Sequence, residues 1–244
     1  MVIFLIAFVL LLVIGVPISI SIGASAVLGC LSLGYPLVVI GQKMVSGIDS
    51  FLLIAVPLFI LAGNLMNAGK ITEKIFDTAK ELVGWIPGGL GHANVVASII
   101  FAGMSGSAVA DAGGLGAIEM EAMKKNGYDE DFAGAVTAAS SVIGPIFPPS
   151  IPLIIYGSVA SVSVDQLFMG GVVPGLLMGV LLMVMVLYFA IVRRYERHPF
   201  RLRALIRQFL GSIPALITPV IILCGFVVGW FTPTEASSIA VIYS

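Results

Sequence analysis

Two short stretches hold most of the residues able to do chemistry: GMSGSAVAD, residues 103–111, and GPIFPPS, residues 144–150. Ser105, Ser107 and Ser150 offer hydroxyl oxygens. Pro145, Pro148, Pro149 and Pro152 lack a backbone N–H and cannot close a helical turn, so carbonyls near them are left without partners. Such hard oxygens suit a small alkali cation, Na+ above all, and helix N-termini beside the breaks would face an anionic group. Asp111 ends the first stretch, one turn into the helical piece that begins at Ser107, where it is either a ligand or gate or a carboxylate settled by a helix N-terminus.

Competing chemistries are weaker. Gly103-Met104-Ser105-Gly106 matches the GxSG of intramembrane serine proteases, which need a histidine base within hydrogen-bond reach. His92 stands 13 residues earlier on the same helical stretch, which is about 20 Å at helical rise, and His198 lies in a basic loop. A proton relay is disfavoured because, Asp111 apart, the carboxylates read as belonging to polar turns, surface helices or segment ends. Cys30 and Cys224 sit in apolar runs with neither disulfide nor metal spacing and read as packing residues. Asn94 reads as an interhelical hydrogen-bonding residue, and glycines here can also simply allow close helix packing.

The elements that must carry these residues are membrane helices. Of 244 residues, 59% are hydrophobic and 10% charged, with a mean hydropathy of +1.13, and no period-two alternation suggests barrel strands. The class is therefore an all-α membrane protein, a polytopic helical bundle. A span needs about 20 apolar residues. The pattern predicts one from Val2 to about Ile22, interrupted at Gly15 and Pro17, a second from Gly23 to Ile40 and a third from Phe51 to Met66. The first run ends in Ala24-Ser25-Ala26, like a signal cleavage site, but it lacks a basic leader and no polar domain follows. Ile71 to Val83 is amphipathic, as for a helix on the membrane surface.

Next come four pieces too short to span: Gly91–Met104, Ser107–Met123, Phe132–Ile143 and Ile151–Val162. They predict a re-entrant hairpin tipped by GMSGS and a broken helix centred on GPIFPPS. Leu167 to Val192 should cross fully, Leu202 to Leu210 should lie on the surface, and Ile213 to Trp230 should span again. Eleven of the twelve Lys and Arg residues, all but Lys43, then share a side, which the positive-inside rule makes cytoplasmic, with the N-terminus outside. GVPISISIGASAV at residues 15–27 echoes GWFTPTEASSIAV at residues 229–241, five crossings apart, the signature of an inverted repeat with its second copy only begun.

GMSGSAVADAGGLG, then AASSVIGPIFPPSIPLIIYG, then FTPTEASSIAV resemble the large membrane subunit (permease, DctM-like) of TRAP transporters, the tripartite ATP-independent periplasmic transporters, in the order and context of that family's N-terminal half. The resemblance implies a bacterial inner-membrane secondary transporter of small organic acids, sialic acid and C4-dicarboxylates among the open choices, driven by Na+ and working as an elevator. It implies two partners, a small membrane subunit and a periplasmic binding protein. It places Ser105, Gly106 and Ser107 at the hairpin tip, facing Gly144 to Ser150 across a first Na+ site. Na+ contacts are then expected from Ser105, Gly106, Ser107, Gly144 and Pro145, and substrate contacts from Ser105, Asp111, Pro148, Pro149 and Ser150. Residues 1–84 would be scaffold helices with an interfacial arm, 85–164 the moving hairpin and broken helix, 165–211 a spanning helix with a second arm, and 212–244 the start of the second repeat. Family members are nearly twice as long, so the chain reads as the first half of such a subunit. The alternative is an assembly subunit that does not itself transport.

Overall fold

The structure, a computed structural model, describes residues 2–195, 197, 199 and 201–244, and every regular element among them is helical. The chain forms two compact units that divide after Ser50. The first contains α1 (Val2–Val13), α2 (Ile18–Ser32) and α3 (Val38–Ile48). The helix expected to run from Val2 to Ile22 is instead two. Gly15 takes a left-handed φ of 87° and Pro17 starts α2, so the chain reverses and α1 packs on α2, with Gly29 against Phe4. Gly34, with φ 75°, ends the second helix before the expected Ile40.

The second unit begins with a 3-10 turn (Phe51–Ile54) leading into α4 (Ala55–Ala68). α5 (Ile71–Val83) has the bounds its amphipathic pattern predicts, with Ile75, Phe76 and Ala79 buried. Then follow α6 (Gly89–Ser105), α7 (Ala108–Ala110), a π segment (Asp111–Leu115), α8 (Gly116–Lys125), α9 (Glu130–Ser141), α10 (Ile151–Ala160), α11 (Val164–Arg193), α12 (Leu202–Val228) and α13 (Pro233–Tyr243). α12 corrects a second expectation, since the surface helix and the last span are one helix of 27 residues that accommodates Pro214 and Pro219. Its start is tied to α5, where Thr78 donates to Ser212 at 2.7 Å and Ser212 donates to the Lys74 carbonyl at 3.2 Å.

Phe51–Ala68, α11 and residues 202–226 are long and apolar enough to cross a bilayer, with hydropathies of 2.0, 2.7 and 2.1. The chain is a multi-pass helical membrane protein. In α11, Gly171, Gly175 and Gly179 make a stripe at four-residue spacing that meets the Ile146 carbonyl, Phe147 and Ile99 in turn, the close approach that small residues allow between membrane helices. At the other end of α11, Val186 and Ala190 fill the space above Gly88 and Gly91 at the start of α6.

The end of α8 arrives at that same end of α11. Arg193 pairs with Asp129 in the turn after α8, the Asp129 N–H donates to the Tyr195 hydroxyl at 3.4 Å, and Tyr128 stacks on Tyr195 with ring centroids 4.1 Å apart. Burial pushes the Tyr128 phenol up to about 12. α6 therefore runs away from this end, and α7 to α8 return to it. α6 is held to α9 by a buried polar network. Asn94 donates to Thr137 at 2.7 Å and accepts from Ser140 at 2.7 Å, and Ser98 donates to Ser140 at 3.1 Å.

Because Asn94→Ala leaves Thr137 and Ser140 short of partners in a buried site, it should cost about 1–2 kcal/mol. The check is a lower thermal unfolding midpoint for the detergent-purified protein.

Candidate ion and substrate site

The first break follows from Gly106. It ends α6 in a left-handed conformation with φ 59°, its N–H still donating to the Ala102 carbonyl at 3.3 Å. The chain restarts at once, because the Ser107 hydroxyl accepts from the Ala110 N–H at 3.3 Å and caps the next helix. The second break, residues 142–150, ends in the same way. Ser150 caps α10 by accepting from the Leu153 N–H at 3.3 Å, while its own hydroxyl donates to the Pro145 carbonyl. The Pro148–Pro149 bond is cis.

The two breaks close on each other. The Ile151 N–H donates to the Gly106 carbonyl at 3.2 Å. A Cβ on Gly106 would collide with the Pro149 carbonyl, and one on Gly144 would come within 3.2 Å of the Ser107 carbonyl carbon. Ser105, Gly106, Ser107, Gly144, Pro145, Pro148, Pro149 and Ser150 thus share one locality, and all are buried except Ser107 and Pro145, which are half-buried. Two of the oxygens are partly occupied, since the Pro145 carbonyl and the Ser150 hydroxyl bond each other. Ser105 and Ser107 keep free lone pairs on the other wall.

Asp111 is placed differently. It starts the π segment one turn beyond the tip, 1% exposed and close to Ser98 of α6, and among the described residues neither oxygen has a partner in good hydrogen-bond geometry. Asn94 bonds between helices as its sequence context implied. His92 lies buried in the first turn of α6, far along that helix from Ser105, and His198 lies outside the described residues.

Two features were missed in the sequence. Glu119 is fully buried in α8 with neither oxygen partnered among the described residues, which corrects the expectation that every carboxylate but Asp111 lies at a surface or segment end. Eight α-helical residues would leave it about 80° around from Asp111, and the intervening π turn under-rotates and reduces that offset. The second feature is a cavity of about 430 Å³ between α4 and the hairpin tip, to which α4 contributes Asn64 and Asn67 and the tip Ser105 and Ser107. Two amides three residues apart in an apolar span were the available signal.

Comparison with known proteins shows the family. Residues 5–244 match the family model for the tripartite ATP-independent periplasmic transporter, DctM component. The chain belongs to this family. It is 50% identical over 204 residues to the sialic acid TRAP transporter large permease protein SiaM of Vibrio cholerae, covering 83% of this chain and 48% of that one. It is 42% identical over 207 residues to the 2,3-diketo-L-gulonate TRAP transporter large permease protein YiaN of Escherichia coli, covering 84% and 49%. It is 37% identical over 237 residues to the C4-dicarboxylate TRAP transporter large permease protein DctM of Vibrio cholerae, covering 96% and 52%. The chain spans about half the length of these relatives. Members of this family are transport proteins and not enzymes.

Gly106→Ala places a side chain in a left-handed conformation and against the Pro149 carbonyl, and should cost at least about 1–3 kcal/mol. Gly113→Ala, whose Cβ would meet nothing within 4 Å, should leave the unfolding midpoint unchanged. Thermal unfolding of the two variants side by side checks the contrast.

Proposed function

We propose that this chain forms the first ion-binding half of a TRAP-type large membrane subunit that imports small organic acids by Na+ symport. The observation that carries the reading is the hydrogen bond from the Ile151 N–H to the Gly106 carbonyl, which joins two helix breaks into one oxygen-rich locality. Ser105 and Ser107 supply hydroxyls, and the backbone at Gly106, Gly144 and Pro145 supplies carbonyls, a donor set suited to Na+. Asp111, Pro148, Pro149 and Ser150, with Ser105, form the substrate side. A bound cation draws the carboxylate of the acid to the same place.

The hairpin is re-entrant in this reading, supported by the return of α8 to the end from which α6 starts. Residues 85–164 move as an elevator against scaffold helices in 1–84 and the arms, and residues from 212 onward begin an inverted repeat. Like Pro17 before α2, Pro233 opens α13, and like Gly15, Gly229 precedes it with positive φ. The basic residues from Lys70 to Arg207 face the cytoplasm from the bacterial inner membrane, with the N-terminus periplasmic. A small membrane subunit completes the assembly, and a periplasmic binding protein delivers the acid. The similar proteins named for sialic acid, diketogulonate and C4-dicarboxylate transport support an organic acid as cargo.

The test is uptake into liposomes by the complete subunit with its partners. An imposed inward Na+ gradient should drive accumulation, and Ser107→Ala should raise the Na+ concentration for half-maximal uptake about tenfold, the loss of one ligand worth about 1.4 kcal/mol. Uptake indifferent to the Na+ gradient contradicts the coupling.

A further inference from the structure

The cavity between α4 and the hairpin tip has a wall whose chemistry differs from that of the tip. Asn64 and Asn67 stand three residues apart on one face of α4. The Asn67 amide has a defined orientation, because the hydroxyl of Thr72, itself 1% exposed, donates to its Oδ1 at 3.0 Å. That bond occupies the oxygen side and leaves both N–H donors of Nδ2 for another acceptor. On the opposite side, Gly114 of the π segment makes room, since a Cβ there would lie 3.0 Å from Nδ2.

Among the described residues, none that lines this cavity is charged. The α4 wall therefore has no cation with which to neutralise a carboxylate. Amide N–H and C=O groups match the donors and acceptors of hydroxyls and amides instead. About 430 Å³ lies within the roughly 300–1,000 Å³ of small-molecule sites.

Resting on the transport reading above, we infer that Asn67, oriented by Thr72, contacts the uncharged polar groups of the cargo, so that the site prefers a polyhydroxylated acid to an unsubstituted dicarboxylate. The carboxylate end belongs to the hairpin tip and its cation, and the hydroxylated end to α4. Asn67 is then a specificity residue and Thr72 a positioning residue. The second carboxylate of an unsubstituted dicarboxylate can accept from Nδ2, but on this wall it meets no cation to repay its lost hydration, whereas a hydroxyl accepts the same bond with no charge to desolvate.

The experiment is equilibrium binding in saturating Na+ to the complete large subunit with its small membrane partner, without the binding protein, which would impose a selectivity of its own. The probes are sialic acid, as the polyhydroxylated acid, and succinate. The unaltered protein should bind sialic acid more tightly. Asn67→Ala should weaken sialic acid about tenfold while changing succinate little, and Thr72→Val should shift selectivity the same way by less. Gly114→Ala, which presses on the amide without removing it, gives a second route to the same loss should Asn67→Ala unfold. Equal weakening of both acids, no change in either, or a native preference for succinate overturns the inference alone. Failure of both acids to bind the unaltered protein in Na+ overturns the transport reading, and this inference with it.

Discussion

A backbone N–H or C=O without a partner costs several kcal/mol in hydrocarbon, and the central helices of this membrane protein break twice, at residues 106–107 and 142–150. Each break alone would leave such groups exposed. Docked together, they satisfy one another through the Ile151 N–H and Gly106 carbonyl, and the Ser107 and Ser150 hydroxyls cap the helices that follow. Other parts of the second unit are arranged to permit this docking. The glycine stripe of α11 brings that helix onto the break loop, and the Asn94 network holds the hairpin against α9.

The same arrangement accounts for the chemistry. Helix breaks that satisfy each other leave some carbonyl and hydroxyl oxygens with spare lone pairs, and in the proposed reading a small cation takes up that surplus. The half-buried Ser107, next to the cavity against α4, is where such a locality opens. A Cβ at Gly106 has no room beside the Pro149 carbonyl and one at Gly144 would crowd the Ser107 backbone, so the geometry depends most on the glycine at 106.

Much of this was legible in the sequence, for identifiable reasons. α5 was delimited correctly because a helix between water and an apolar core writes both environments into one pattern. The two breaks were visible because glycine, proline and serine cluster where apolar residues would otherwise continue. α12 was misread as two helices because its first turns are amphipathic and its later turns uniformly apolar, a change of surroundings without a change of backbone. Gly15 and Pro17 were seen as an interruption, yet the full reversal depends on α1 finding α2 to pack against. Glu119 looked exposed among Glu121, Lys124 and Lys125, because only tertiary packing distinguishes the one carboxylate turned inward. Asn67 gains its meaning from Thr72 and Gly114, and Gly114 lies 47 positions away, which no local pattern reports.

The central claim is that the tip and the break loop form one cation-dependent site. It is tested most directly by the reactivity of a single cysteine at Ser107, in a complete subunit whose native cysteines, Cys30 and Cys224 among them, have been replaced, toward a small polar thiol reagent. Na+ should slow modification in a saturable way that K+ does not reproduce, and Gly106→Ala in the same background should abolish the Na+ effect. A rate that is the same in Na+ and K+ would contradict the account.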